Sequence, residues 1–173
     1  MVPRVKLVGQ VLAVACVAGL LAILGWRLAN GTHVAKGPAP GFDLPRLNGG
    51  GKLALDSLRG KAVVLNFWAS WCVPCKQEAK TLESGWQRWK GKDVVVLGID
   101  GQDFSGDARS FMSQHKVTYP VVRDGPGSTV SAYGVSGFPE TFFVDRSGRV
   151  VQHIAGPVSR SDLDRGIRLA LQT

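Results

Sequence analysis

Asn66-Phe67-Trp68-Ala69-Ser70-Trp71-Cys72-Val73-Pro74-Cys75-Lys76 is the stretch on which the fold turns. It joins the end of a continuous apolar run, Val63 to Phe67, to the start of a helical periodicity, so it sets two cysteines where a buried strand ends and a helix begins. That position gives the pair its chemistry. A thiolate at a helix amino terminus faces unpaired backbone N–H groups and the positive end of the helix dipole, which lower its pKa. Cys72 is therefore expected to be the attacking thiolate. Cys75, one turn later, is expected to be more enclosed and to resolve the mixed disulfide that Cys72 forms with a substrate. A bridge between residues three apart restricts little chain entropy, so it suits redox chemistry better than stapling.

Towards the carboxyl terminus, Cys75, Ala79, Leu82, Trp86 and Trp89 recur at three- and four-residue intervals and predict a helix from Cys72 to about Trp89. Glu78 lies on the edge of that stripe. A carboxylate there is partly desolvated, which raises its pKa and lets it exchange protons with the cysteine pair; spacing alone leaves a solvated helix glutamate equally open. Val94 to Ile99 is a second apolar run, completing strand, helix, strand. Asp107 to His115 predicts a further helix, Val121-Val122 a short strand, and Ser128 to Tyr133 a short helix ended by Gly134. Thr141 to Val144 and Arg149 to Ile154, joined by Asp145-Arg146-Ser147-Gly148, predict an antiparallel hairpin, so the sheet is mixed. Ser159 to Leu171 closes the chain as a helix with Ser159 or Ser161 as its cap.

Before the strand the chain changes character. Leu7 to Trp26 runs without a charge, long enough to span a bilayer, with Arg4 and Lys6 ahead of it and Arg27 behind. Residues 1–6 read as a cytoplasmic tail, 7–28 as a transmembrane anchor, 29–40 as a linker and 41–173 as one globular domain facing outward. A cleaved signal peptide is the rival, but the apolar run exceeds the roughly 7–15 residues of a signal core. Cys16 follows Ala13-Val14-Ala15, which faintly matches a lipoprotein cleavage site; Leu20, Leu21, Ile23 and Leu24 extend the apolar stretch past it, and Cys16 reads as a small apolar residue.

Composition narrows the function. The net charge of +8 would suit nucleic acid, but residues up to Lys36 hold four basic residues and no acid, which leaves a milder excess beyond and no basic run interleaved with aromatics. The three cysteines are too few for a disulfide scaffold or a four-thiolate zinc site. His33, His115 and His153 are scattered without ligand spacing to them, so neither a metal nor another cofactor is expected.

The Asn66-to-Cys75 run, Glu78, and Tyr133-Gly134-Val135-Ser136-Gly137-Phe138-Pro139-Glu140-Thr141-Phe142 together resemble the membrane-tethered thioredoxin-like proteins of the TlpA, ResA and CcmG type, over roughly residues 40 to 170. The resemblance implies an α/β thioredoxin fold, a mixed central sheet flanked by helices, with an amino-terminal extension and a central insertion. It implies a protein-disulfide oxidoreductase with Cys72 and Cys75 as the redox-active disulfide and Glu78 as a functional acid. It also implies a cis Pro139 facing the pair, with Phe138 before it offering backbone bonds to an extended substrate. Phe138 is larger than the residue common there in the CcmG-type group, while Glu140-Thr141 matches that group. Glu140 and Trp71 are taken as further substrate contacts, Trp71 on the surface.

An oxidising exterior cannot keep a dithiol reduced from glutathione, so the implied donor is a CcdA- or DsbD-like membrane protein. The implied substrates are apocytochrome c or other exported cysteine proteins. A general TlpA-like reductase and a metal-delivery or assembly module without turnover are the competing functions. A peroxiredoxin is disfavoured by the tight cysteine pair.

Overall fold

A computed structural model describes residues 14–22 and 36–172. It divides into a unit up to Thr32 and a unit His33–Thr173. In the first, residues 14–22 are helical and Val14, Val17, Leu20 and Leu21 are exposed. The remainder of the anchor expected at 7–28, and the tail before it, lie outside the described residues, among which no helix is long and apolar enough to cross a membrane.

The second unit is a thioredoxin fold. Among the described residues eight strands are formed: β1 (Gly37–Pro38), β2 (Asp43–Pro45), β3 (Lys52–Ala54), β4 (Ala62–Trp68), β5 (Val94–Gly101), β6 (Val121–Asp124), β7 (Glu140–Val144) and β8 (Arg149–Ala155). Six of them make one sheet in the order β1-β8-β7-β4-β5-β6. β4 is central, parallel to β5 and antiparallel to β7, and every residue of β4 and β5 is buried. Covering on both faces is why these two strands read as unbroken apolar runs rather than as alternation.

Side chains alternate between two cores. Val64, Trp68 and Val96 face helices α1 (Val73–Trp89), α2 (Ser105–Gln114) and α4 (Arg160–Gln172), while Val63, Leu65, Phe67, Leu97 and Ile99 face the β2–β3 pair and helix α3 (Ser128–Ala132). Each fully buried Leu or Phe among them contributes about 2 kcal/mol. α4 approaches so closely that a Cβ on Gly85 would stand 2.4 Å from Leu163 Cδ2, and one on Gly166 2.4 Å from Phe143. These two glycines let α4 lie against both the cysteine-bearing helix and the sheet.

Two expectations change. The linker does not run to residue 40: Gly37 and Pro38 pair with Val150 and Arg149, Ala39 N–H donates to Gly148, and Tyr133 Oη donates to the Pro40 carbonyl at 2.9 Å. Backbone pairing puts Gly37 and Pro38 in the sheet although they carry no apolar pattern. β6 also outruns Val121-Val122, because parallel pairing with β5 continues through Arg123 and Asp124. The crossing from β5 to β7 holds α2, β6 and α3. At the hairpin, Asp145 Oδ1 accepts from Ser147 Oγ and Arg149 N–H, and Gly148 takes φ +81°.

Candidate active site

Cys72 is the amino-terminal cap of α1. Its backbone is extended, Cys75 N–H donates to its Sγ at 3.1 Å, and Pro74 occupies the first helical turn, where no N–H is required. The two cysteines are joined as a disulfide with Cα atoms 5.3 Å apart. Cys72 is 3% exposed and Cys75 2%, so solvent access barely separates them; the helix terminus does. Trp71 and Val73 flank Cys72 on the surface, 58% and 62% exposed.

Trp71 is held from two sides. Its indole N–H donates to the Gln102 carbonyl at 3.0 Å, and its ring centroid lies 5.8 Å from that of Phe138. Phe138 is half-buried, and it precedes a cis peptide bond to the buried Pro139. Its ring is admitted by Gly101, where a Cβ would stand 3.1 Å from Phe138 Cζ and 2.9 Å from Val130 Cγ2. Trp71 and Phe138-Pro139 are thus drawn together from two separate parts of the chain.

Glu78 is more enclosed than an edge position suggested, at 3% exposure. Its Oε1 accepts from Asn66 Nδ2 at 2.8 Å and its Oε2 from Val158 N–H at 2.9 Å. Burial pushes its pKa up to about 7, against the opposing pull of the Val158 N–H and the Asn66 amide. Three residues beyond Cys75 on the same helix, it lies on the cysteine side of α1. Such a carboxyl both binds and releases a proton near neutral pH.

Glu140 was expected beside the substrate. It is instead turned inward, 2% exposed, with Oε1 accepting from Ser136 N–H, Ser136 Oγ and Gly137 N–H at 2.8, 3.1 and 3.2 Å. Its Oε2 lies 2.7 Å from His153 Nε2. Burial raises its pKa, but the Ser136 N–H, His153, the Gly137 N–H and the Ser136 hydroxyl outweigh burial and hold it below the ordinary glutamate range. It fixes the turn that leads into Phe138-Pro139.

Four neighbouring polar residues had no role in the sequence reading. Asn66 orients Glu78 and also donates to Thr141 Oγ1 at 3.1 Å; Asp103 accepts from Ser70; Asp100 is wholly buried; His153 meets Glu140. The available signal was polarity within apolar strands: Asn66 in Ala-Val-Val-Leu-Asn-Phe-Trp and Asp100 at the end of Val-Val-Val-Leu-Gly-Ile-Asp. Asp103 and His153 carried no such contrast.

A thioredoxin fold with a Cys-x-x-Cys disulfide at the start of a helix defines a thiol–disulfide oxidoreductase. Residues 35–153 match the AhpC/TSA family, and the chain belongs to it. Among its relatives it is 32% identical over 148 residues to the thiol-disulfide oxidoreductase ResA of Bacillus subtilis, covering 82% of each chain. It is 33% identical over 152 residues to ResA of Geobacillus kaustophilus, covering 84% of this chain and 87% of the relative. The crystal structure of a putative thiol:disulfide interchange protein DsbE from Chlorobium tepidum superimposes with a TM-score of 0.71 at 33% identity, over 77% of this chain and 94% of that one. The chain is therefore an enzyme of thiol–disulfide exchange in the ResA and DsbE group.

Proposed function

We propose that the chain reduces disulfides of exported proteins, and specifically the disulfide within the Cys-x-x-Cys-His haem-attachment segment of apocytochrome c. Covalent haem attachment needs both substrate cysteines as thiols, and an oxidising exterior couples them. The observation that carries the reading is the buried Glu78, poised near neutral pH on the cysteine side of α1.

In the reduced protein the Cys72 thiolate attacks one substrate sulfur. The substrate S–S bond breaks, a mixed disulfide forms, and the departing substrate thiolate is protonated. Cys75 then loses its proton, with Glu78 as the acceptor, and attacks the Cys72 sulfur, releasing the second substrate thiolate. The substrate gains two electrons and two protons; the cysteine pair is left as the disulfide. A CcdA- or DsbD-like membrane dithiol returns the two electrons. The substrate lies extended beside Phe138-Pro139 against the exposed Trp71 and Val73, and Glu140 supports it through the turn it holds. The apolar span from Leu7 to Trp26 anchors the chain, with the domain on the extracytoplasmic side.

Replacing Cys75 by Ala should strand substrates as mixed disulfides on Cys72, with apocytochrome c among them. Its absence from the trapped species, together with normal haem-stained cytochromes in a deletion lacking other reductases, would refute the assignment. In the reduced protein, pH-dependent alkylation with peptide mapping should label Cys72 well ahead of Cys75, with a Cys72 pKa below the roughly 8.5 of free cysteine.

A further inference from the structure

Behind the cysteine loop lies a second acidic centre that the exchange chemistry above leaves unused. Trp68 pairs with Asp100, and Asp100 with Arg123, so the three form one row across β4, β5 and β6. Asp100 is 0% exposed, and neither of its carboxyl oxygens receives a hydrogen bond. Its nearest cation, Arg123 Nε, stands 3.7 Å away and makes no hydrogen bond either. An anion buried with no donor is costly, so the neutral acid is favoured, and the Asp103 charge favours it further.

Asp103 in turn grips the segment that delivers Cys72. Its Oδ2 accepts from Ser70 N–H at 2.5 Å, and its Oδ1 from Ser70 Oγ at 2.9 Å and Phe104 N–H at 2.8 Å. Arg123 ties the same loop by donating to the Asp103 carbonyl at 2.7 Å. Cys72 N–H bonds back to Ala69 and the Trp71 indole to Gln102, so residues 69–72 hang on residues 102–104.

We propose that protonation of Asp100, acting through Asp103 and Arg123 on the loop that holds Ser70, positions Cys72 and gives thiol exchange a pH dependence separate from that of Glu78. Loss of the Asp100 proton adds a buried charge that the Asp103 charge repels and Arg123 only partly offsets, and the repulsion loosens the loop that holds Ser70. Arg123 and Asp103 are the charged groups acting on Asp100; β4 presents the Trp68 indole, and α2 buries Ala108, Phe111 and Met112 against the same core. Burial and the Asp103 charge both raise the Asp100 pKa, to about 7, with Arg123 opposing. The inference rests on Cys72 as the attacking thiol.

Two measurements on the full chain test it. In a carboxyl 13C NMR titration of the unmodified protein, Asp100 should titrate near neutral pH, and the Ser70 amide should follow the same curve. Asp100 titrating in the ordinary carboxylate range, or a Ser70 amide that ignores the titration, overturns the proposal. In exchange with a Cys-x-x-Cys-His peptide disulfide, corrected for thiolate fraction, Asp100→Asn keeps a neutral side chain in place of the acid and should keep the low-pH rate while losing one inflection. Asp103→Asn should slow exchange about tenfold, as fits loss of hydrogen bonds to a charged acceptor. The Asp100 inflection should persist in Glu78→Gln; an inflection that survives Asp100→Asn and vanishes only with Glu78 overturns the proposal. A mixed disulfide mapped to Cys75 would instead defeat the assignment of the attacking thiol, and the NMR titration would still report on Asp100.

Discussion

Glu78 and Glu140 are buried to the same degree, 3% and 2% exposed, yet their environments drive their acidities in opposite directions. Glu78 receives two hydrogen bonds, and burial prevails, leaving it near pH 7. Glu140 receives three on one oxygen and holds His153 on the other, and the donors prevail. What separates a proton-exchanging acid from a fixed anionic clamp is the balance between desolvation, which is heavier at Glu78, and the donors aimed at the carboxylate, which are more numerous at Glu140. An ionised carboxylate only accepts, so His153 Nε2 carries the proton in the Glu140 contact.

The sharpest way to break this contrast is stability against pH in the oxidised protein. Glu78 has a folded pKa above its unfolded value. Its contribution is fully present below the unfolded value and is lost as pH rises through the folded one. Between pH 4.5 and 7 the stability of the parent relative to Glu78→Gln should therefore fall by on the order of 3 kcal/mol. Glu140 has the opposite sign, since its folded pKa is depressed: its contribution is present above the unfolded value and is lost as pH falls through the folded one. Denaturant unfolding of both variants over that range checks the signs, and parallel curves would erase the distinction.

Kinetics gives the next effect. Glu78→Gln should slow dithiol exchange near neutral pH about a hundredfold, within the span of general acid–base catalysis, and remove its inflection. Glu140→Gln should act chiefly on KM for a peptide disulfide, because it loosens the turn before Phe138-Pro139 and leaves the cysteine chemistry intact. Stopped-flow exchange across pH separates the two.

Smaller effects probe the donors themselves. Asn66→Ala should raise the Glu78 pKa further and His153→Gln should raise that of Glu140, each with a stability cost of about 1 kcal/mol for one lost hydrogen bond. Carboxyl NMR titrations report the shifts.

Most of the fold was legible because burial writes itself into sequence as period. β4 and β5 were apolar runs, α1 repeated Cys75, Ala79, Leu82, Trp86 and Trp89, and Ser159 Oγ does accept from Asp162 N–H at the start of α4. β1, β2 and β3 were not legible: they are two or three residues long, too short for a period to appear, and are held by backbone pairing that any sequence can supply. The site divided in the same way. Two cysteines at a strand-to-helix junction announce their chemistry through spacing, whereas Glu78 and Glu140 are each one letter whose meaning depends on partners far along the chain.

By itself, then, the sequence determined the placement of Cys72 and Cys75, the α/β alternation and the apolar faces, since each follows from contacts within a few residues. Tertiary structure alone decided that Val158 lies against Glu78 across 80 residues, that His153 meets Glu140, and that Asp103 holds Ser70. A pKa is set by the donors, charges and water within a few ångströms of a group, and in a folded chain those neighbours come from elements that sequence order keeps apart.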